Sequence, residues 1–207
     1  MENKPNKNFK RNKNSWLLFV PHKIIANNFC PLKWALAYLG NLGAKFGMNF
    51  RNHIEEVGLL VDKLRLKNRV QVKSRSDLVK LARKSSGLYW IETDMPIGEL
   101  KLAIQKCSGK LKKTRKTKPD GVGFTQQVNG FQIIYAGTEN DLQKRLLEHL
   151  LDEGNAGTTK MSIKIDCPLF SKYSWFVSCV YLKDYPTRYA IEAWWRLNIG
   201  WPPFCIR

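Results

Sequence analysis

FQIIYAGTENDLQKRLLEH, residues 131–149, is the stretch from which the rest of the chain is best read. The apolar run from Phe131 to Tyr135 predicts a short buried strand, Gly137 permits a tight turn, and Asn140 or Asp141 can cap a helix. On that helix Leu142, Leu146 and Leu150 recur every four residues and face a core. Arg145 and His149 form a second line one turn apart on an adjoining face, where both can reach one ligand. A guanidinium fork beside an imidazole suits a phosphate: the first offers paired donors, the second a donor or a proton carrier. The same spacing also fits the solvated side of an ordinary amphipathic helix.

Charge narrows the partners. The 207 residues carry 35 Lys and Arg against 17 acidic residues, a net charge of +18, with 43% hydrophobic residues to build a core. Such an excess calls for a polyanion, and counterion release makes nucleic acid the expected partner, bound more weakly as salt rises. A membrane is not expected, because no apolar run approaches the roughly 18 residues of a span. Cysteines 30, 107, 167, 179 and 205 are odd in number and contain no CxxC pair, which argues against zinc and disulfides and for a reducing cytoplasm. Residues 1–14, MENKPNKNFKRNKN, read as a basic disordered arm without the apolar stretch of a secretory signal.

Residues 15–84 read as an accessory, partly helical, DNA-binding region. Leu32 to Tyr38 should be helical and stop at glycines 40, 43 and 47; Arg51 to Leu60 could form a second helix, which leaves a helix-turn-helix open in 32–60. Lys63 to Lys73 alternates basic and apolar residues and predicts a half-exposed strand, and Ser76 or Asp77 could cap a short helix through Arg83. Residues 97–107 have helical spacing. The run GKLKKTRKTK that follows holds Lys110, Lys112, Lys113, Arg115, Lys116 and Lys118, cations that could track a phosphate backbone or simply solvate a loop. Met161 to Ile165 alternates, Trp175 to Leu182 is an apolar strand, and Pro186 opens a last helix to about Asn198, with Ile191, Trp194 and Trp195 inward and Glu192 one position off that face.

The order of these pieces resembles the GIY-YIG nuclease superfamily. Gly87-Leu88-Tyr89 matches the first half of its signature, and Tyr135-Ala136-Gly137 with Asn140, Leu142, Arg145 and His149 matches the second. Glu192, in RYAIEAWWRLNIG, is the carboxylate that the family order asks for on a later helix, with Glu148 and Glu153 as nearby acids out of that order. The resemblance implies an α/β (α+β) domain over residues 85–207, a small, mainly antiparallel sheet flanked by helices. It also implies Glu192 as the one protein ligand of Mg2+ or Mn2+, Arg145 as a phosphate clamp, Tyr89 acting on the attacking water, Tyr135 orienting it, and His149 taking or relaying a proton.

Three departures stand out. Leu88 and Ala136 replace isoleucines of the signature, and the Asn that usually follows the metal Glu is absent, so that Asn198 or nothing takes its place. With no separate zinc-finger or repeat module, the chain looks most like a type II restriction endonuclease of a prokaryotic cytoplasm, for which a palindromic site would call for a homodimer. A homing or repair nuclease of the same family, and a non-catalytic nucleic-acid-binding protein that kept the fold, are the alternatives.

Overall fold

The structure is a computed structural model that describes residues 31–108, 118–154 and 161–205, with only the backbone of 31–48 and 108 described. The arm 1–14, the apolar stretch 16–29 and the cations Lys110, Lys112, Lys113, Arg115 and Lys116 lie outside the described residues. The chain divides into two units, residues 1–43 and 44–207. Of the first, the opening turns of one helix are described; the second holds the sheet.

The elements are α1 (Pro31–Lys67), β1 (Arg69–Gln71), α2 (Arg75–Leu81), β2 (Gly87–Thr93), α3 (Ile97–Ser108), β3 (Gln127–Val128), β4 (Phe131–Glu139), α4 (Leu142–Leu150), α5 (Pro168–Ser171), β5 (Trp175–Tyr181) and α6 (Tyr185–Asn198). Among the described residues the architecture is α+β: five strands in the order β1-β5-β2-β4-β3, every neighbouring pair antiparallel.

Strand β2 is central, so its side chains are buried on both faces. One face takes Tyr89 and Ile91 with Ile134 of β4, and against them pack Leu142, Leu146 and Leu150 of α4, Leu100 and Ile104 of α3, and Leu78 of α2. The other takes Leu88 and Trp90 with Ala136, covered by Val61 of α1 and by Ile191 and Trp195 of α6. Each fully buried leucine or isoleucine contributes about 1.5–3 kcal/mol. A bulge between Ile91 and Glu92 inserts Ile134 into the β4 register, so that Tyr135 pairs with Ile91 and Gly137 with Tyr89 on the α4 side.

Beyond short β3 the edge of β4 is closed by the C-terminal segment and α6. The N–H of Phe204 donates to Ile134 O at 3.1 Å, the N–H of Ala136 meets Cys205 Sγ at 3.2 Å, and Arg196 Nη2 donates to Ala136 O at 2.6 Å. This edge therefore offers no template for another strand along those residues.

Several expectations are corrected. Residues 31–67 form one helix through glycines 40, 43 and 47, which removes the helix-turn-helix; glycine costs a helix about 1 kcal/mol relative to alanine and does not forbid it. The strand expected from Lys63 is only Arg69–Gln71, because Arg65 still belongs to the helix and pairs with Asp62 at 2.7 Å. The cap of α2 is Ser74, in a reciprocal capping box with Asp77, and the helix ends at Leu81. Met161–Ile165 forms no strand: the N–H groups of Ile163 and Ile165 donate to His149 O and Leu150 O, satisfying the last turn of α4. Val72, Leu78 and Ala82, before residue 85, share a core with Tyr89 and Leu146 after it.

Candidate functional site

The start of α4 is fixed by Asp141, whose side chain accepts the N–H of Lys144 at 3.0 Å. That cap sets the helix phase: the three leucines point down and Arg145 and His149 lean towards β2 and β4. The turn before it is held by Arg188 of α6, 1% exposed, which donates to Glu139 O and, at 2.7 Å, to Asn140 Oδ1.

Four of the five expected residues come together. Tyr89 and Tyr135 stack with ring centroids 5.9 Å apart and planes at 18°, and His149 lies 4.4 Å from the Tyr135 ring. The Tyr89 hydroxyl is 2.9 Å from His149 Nε2, and the positive charge of Arg145 favours the ionised form of that phenol. Gly137 makes room for this hydroxyl, which lies 2.8 Å from where a Cβ would stand. Tyr89 is 1% and His149 0% exposed; Tyr135 and Arg145 are the partly exposed members.

The proton on His149 follows from its other nitrogen. The backbone N–H of Met161 points at Nδ1 at 3.1 Å, and a backbone N–H can only donate. Nδ1 is therefore an acceptor, the ring is neutral with its hydrogen on Nε2, and Nε2–H donates to the Tyr89 oxygen.

Burial pushes the Tyr89 phenol well above its ordinary range, Tyr135 adds to the rise, and Arg145 opposes it. Tyr135 is raised as well, chiefly by burial and then by Cys205. Burial works against the charge of Arg145, but Tyr89 and Glu148 outweigh it and the guanidinium stays charged. Glu148, 5% exposed, pairs with Arg145 at 2.8 Å and so belongs to this cluster. Its position three residues after Arg145 is the signal that could have found it.

Glu192 is the residue set apart. It approaches the same stretch of β4 from the opposite face, beside Leu88, Trp90 and Trp195. Its carboxylate pairs with Arg196 at 2.5 Å, and burial raises it above the usual carboxylate range against the pull of that guanidinium. A divalent ion would compete with a guanidinium for the same oxygen, so the donors as arranged do not fit Glu192 as sole metal ligand. Among the described residues no group of three or more His, Cys, Asp or Glu could hold a metal. Asn198 donates to Trp194 O on its own helix and stands exposed. Of the basic run only Lys118 is described, its ammonium 5.5 Å from the Phe124 ring centre. No described helix is long and apolar enough to cross a membrane.

No family model, curated protein or solved structure matches the chain.

Proposed function

We propose that the chain hydrolyses phosphodiester bonds of double-stranded DNA as an endonuclease of GIY-YIG type. The observation that supports this reading is the convergence of Tyr89 with Tyr135, Arg145 and His149, two distant stretches of sequence, on one hydrogen-bonded cluster. In this reading Arg145 takes the phosphate oxygens and neutralises charge that builds in the transition state. Tyr89 acts on the attacking water while His149 Nε2–H and Arg145 steady its oxygen, and Tyr135 fixes the ring by stacking. The resemblance implies Mg2+ or Mn2+, which would neutralise phosphate charge. Sequence-specific, restriction-type cleavage in a prokaryotic cytoplasm, and a homodimer on a palindromic site, are the finer parts of the proposal.

The second reading, a DNA-binding protein that does not cut, is favoured by the burial of Tyr89 and His149 and the pairing of Glu192 with Arg196. Duplex DNA of mixed sequence, incubated with the full chain with and without Mg2+ or Mn2+, separates the two. Discrete fragments that vanish in Tyr89→Phe and Arg145→Ala support the specific nuclease, and a smear supports an unspecific one. Salt-dependent binding without cutting leaves the second reading, and no binding removes both.

A further inference from the structure

We propose that the β3–β4 hairpin reads base edges in the major groove of duplex DNA, with Gln126, Gln127 and Asn129 selecting adenine and Val128 the thymine methyl. The proposal rests on DNA as the ligand of the reading above, but not on its cleavage.

Residues 126–130 are all exposed, and Val128 is 65% exposed, an apolar side chain held out in water. The turn is two residues, Asn129 and Gly130 at φ 50° and 83°, between the pairs Gln127–Gln132 and Val128–Phe131. That geometry makes a narrow two-stranded ribbon, and a major groove about 12 Å wide admits one. The ribbon is braced at its root: Thr125 N–H donates to Trp201 O at 3.1 Å, its hydroxyl to Ile133 O at 2.6 Å, and Gln132 Nε2 to Thr125 O at 2.5 Å.

Its chemistry is that of base contact. Although a quarter of the chain is charged, Gly121 to Thr138 contains no charged residue. Phosphate contacts want cations, whereas neutral amides and methyls read bases: Asn or Gln binds adenine through N6 and N7, and an apolar side chain meets the thymine methyl. Gln126 and Gln127 each place one N–H on a neighbouring carbonyl, Phe124 O at 3.2 Å and Gly130 O at 2.8 Å. Each amide retains a second N–H and its carbonyl oxygen for a base. From Phe131 to Tyr135 the strand advances about 13 Å, or about four base steps at 3.4 Å each.

The test is selection of bound duplexes from a randomised library by the full chain, without divalent ions. The expected result is enrichment of A·T pairs at about two or three adjacent positions. That enrichment should disappear in Gln126→Ala/Asn129→Gly, which keeps a residue suited to positive φ at 129, and weaken in Gln127→Ala, with affinity for random DNA within about threefold of the original. Absence of enrichment, enrichment unchanged in both variants, or failure to bind DNA would each overturn the proposal. The selected duplex is then offered for cleavage with Mg2+ or Mn2+. Enrichment without cutting sinks the nuclease reading and leaves the ribbon standing; cutting with no preference sinks the ribbon alone.

Discussion

The imidazole of His149 bridges Met161 and Tyr89: Nδ1 accepts the Met161 N–H at 3.1 Å and Nε2 lies 2.9 Å from the Tyr89 hydroxyl. Strand β2, helix α4 and the segment that begins at Met161 are thereby tied through one ring. The relationship dictates a tautomer, so nitrogen-15 NMR of the folded protein should find the His149 proton on Nε2. A proton on Nδ1 would contradict the geometry.

Removing the phenol oxygen tests the same link energetically. In Tyr89→Phe the buried Nε2–H loses its acceptor, which costs about 1–3 kcal/mol. Urea unfolding should show that loss while the ring packing is retained. If Tyr89→Phe is as stable as the original, the hydrogen bond contributes nothing, and His149 is held by packing alone.

The pairing of Glu192 with Arg196 predicts weak metal binding in the free protein. Mn2+ titration followed by the spin resonance of the free ion should reveal no micromolar site dependent on Glu192. Arg196→Met removes the competing cation and should tighten Mn2+ binding, although it leaves a mostly buried carboxylate unpaired and costs about 3–5 kcal/mol of stability. A micromolar site in the original protein that is lost in Glu192→Gln would show that the ion displaces Arg196 readily.

How much of this was legible depends on whether the signal was local. The leucines at 142, 146 and 150, the capping Asp141 and the apolar run of β4 are short-range patterns, and each produced the expected element. The meeting of Tyr89 with Arg145 and His149 was reachable only through the resemblance, because nothing in their spacing sets which face of β2 meets α4. Alternation misled at Met161–Ile165, where Met161, Ser162, Ile163 and Ile165 are all buried because the segment lies under the end of α4 and not because it pairs in a sheet. The i, i+4 spacing of Glu192 and Arg196 was readable as an ion pair, yet the motif order directed attention to the carboxylate alone. Asn129-Gly130 is the plainest hairpin signature in the chain and was not used.

Alkaline pH should destabilise the fold through its tyrosines. Tyr89 and Tyr135 have their phenol pKa raised above the ordinary value of 10.0, chiefly by burial. Below pH 10 both states keep these protons and stability is unaffected. Above it the unfolded chain releases them while the folded protein still holds them, so stability falls as pH rises towards the folded values. Urea midpoints on either side of that pH should fall on the alkaline side, and less so in Tyr89→Phe. An equal fall in the variant would place the sensitivity elsewhere.

The packing of α1 on α6 depends on a missing methyl group. A Cβ at Gly58 would stand 2.2 Å from Cε3 of Trp194, inside the indole ring and not at the end of a flexible chain. Gly58→Ala gains helix propensity, about 1 kcal/mol for a glycine in a helix interior. It also forces the helix or the indole to move, and overpacking of this kind costs about 1–3 kcal/mol. The overlap is deep, so the second effect should win. Gly58→Ala should unfold at lower urea, and Gly58→Ala/Trp194→Leu, which shortens the obstructing side chain, should recover part of the difference. Should Gly58→Ala prove more stable than the original, α1 does not lie against Trp194 in solution.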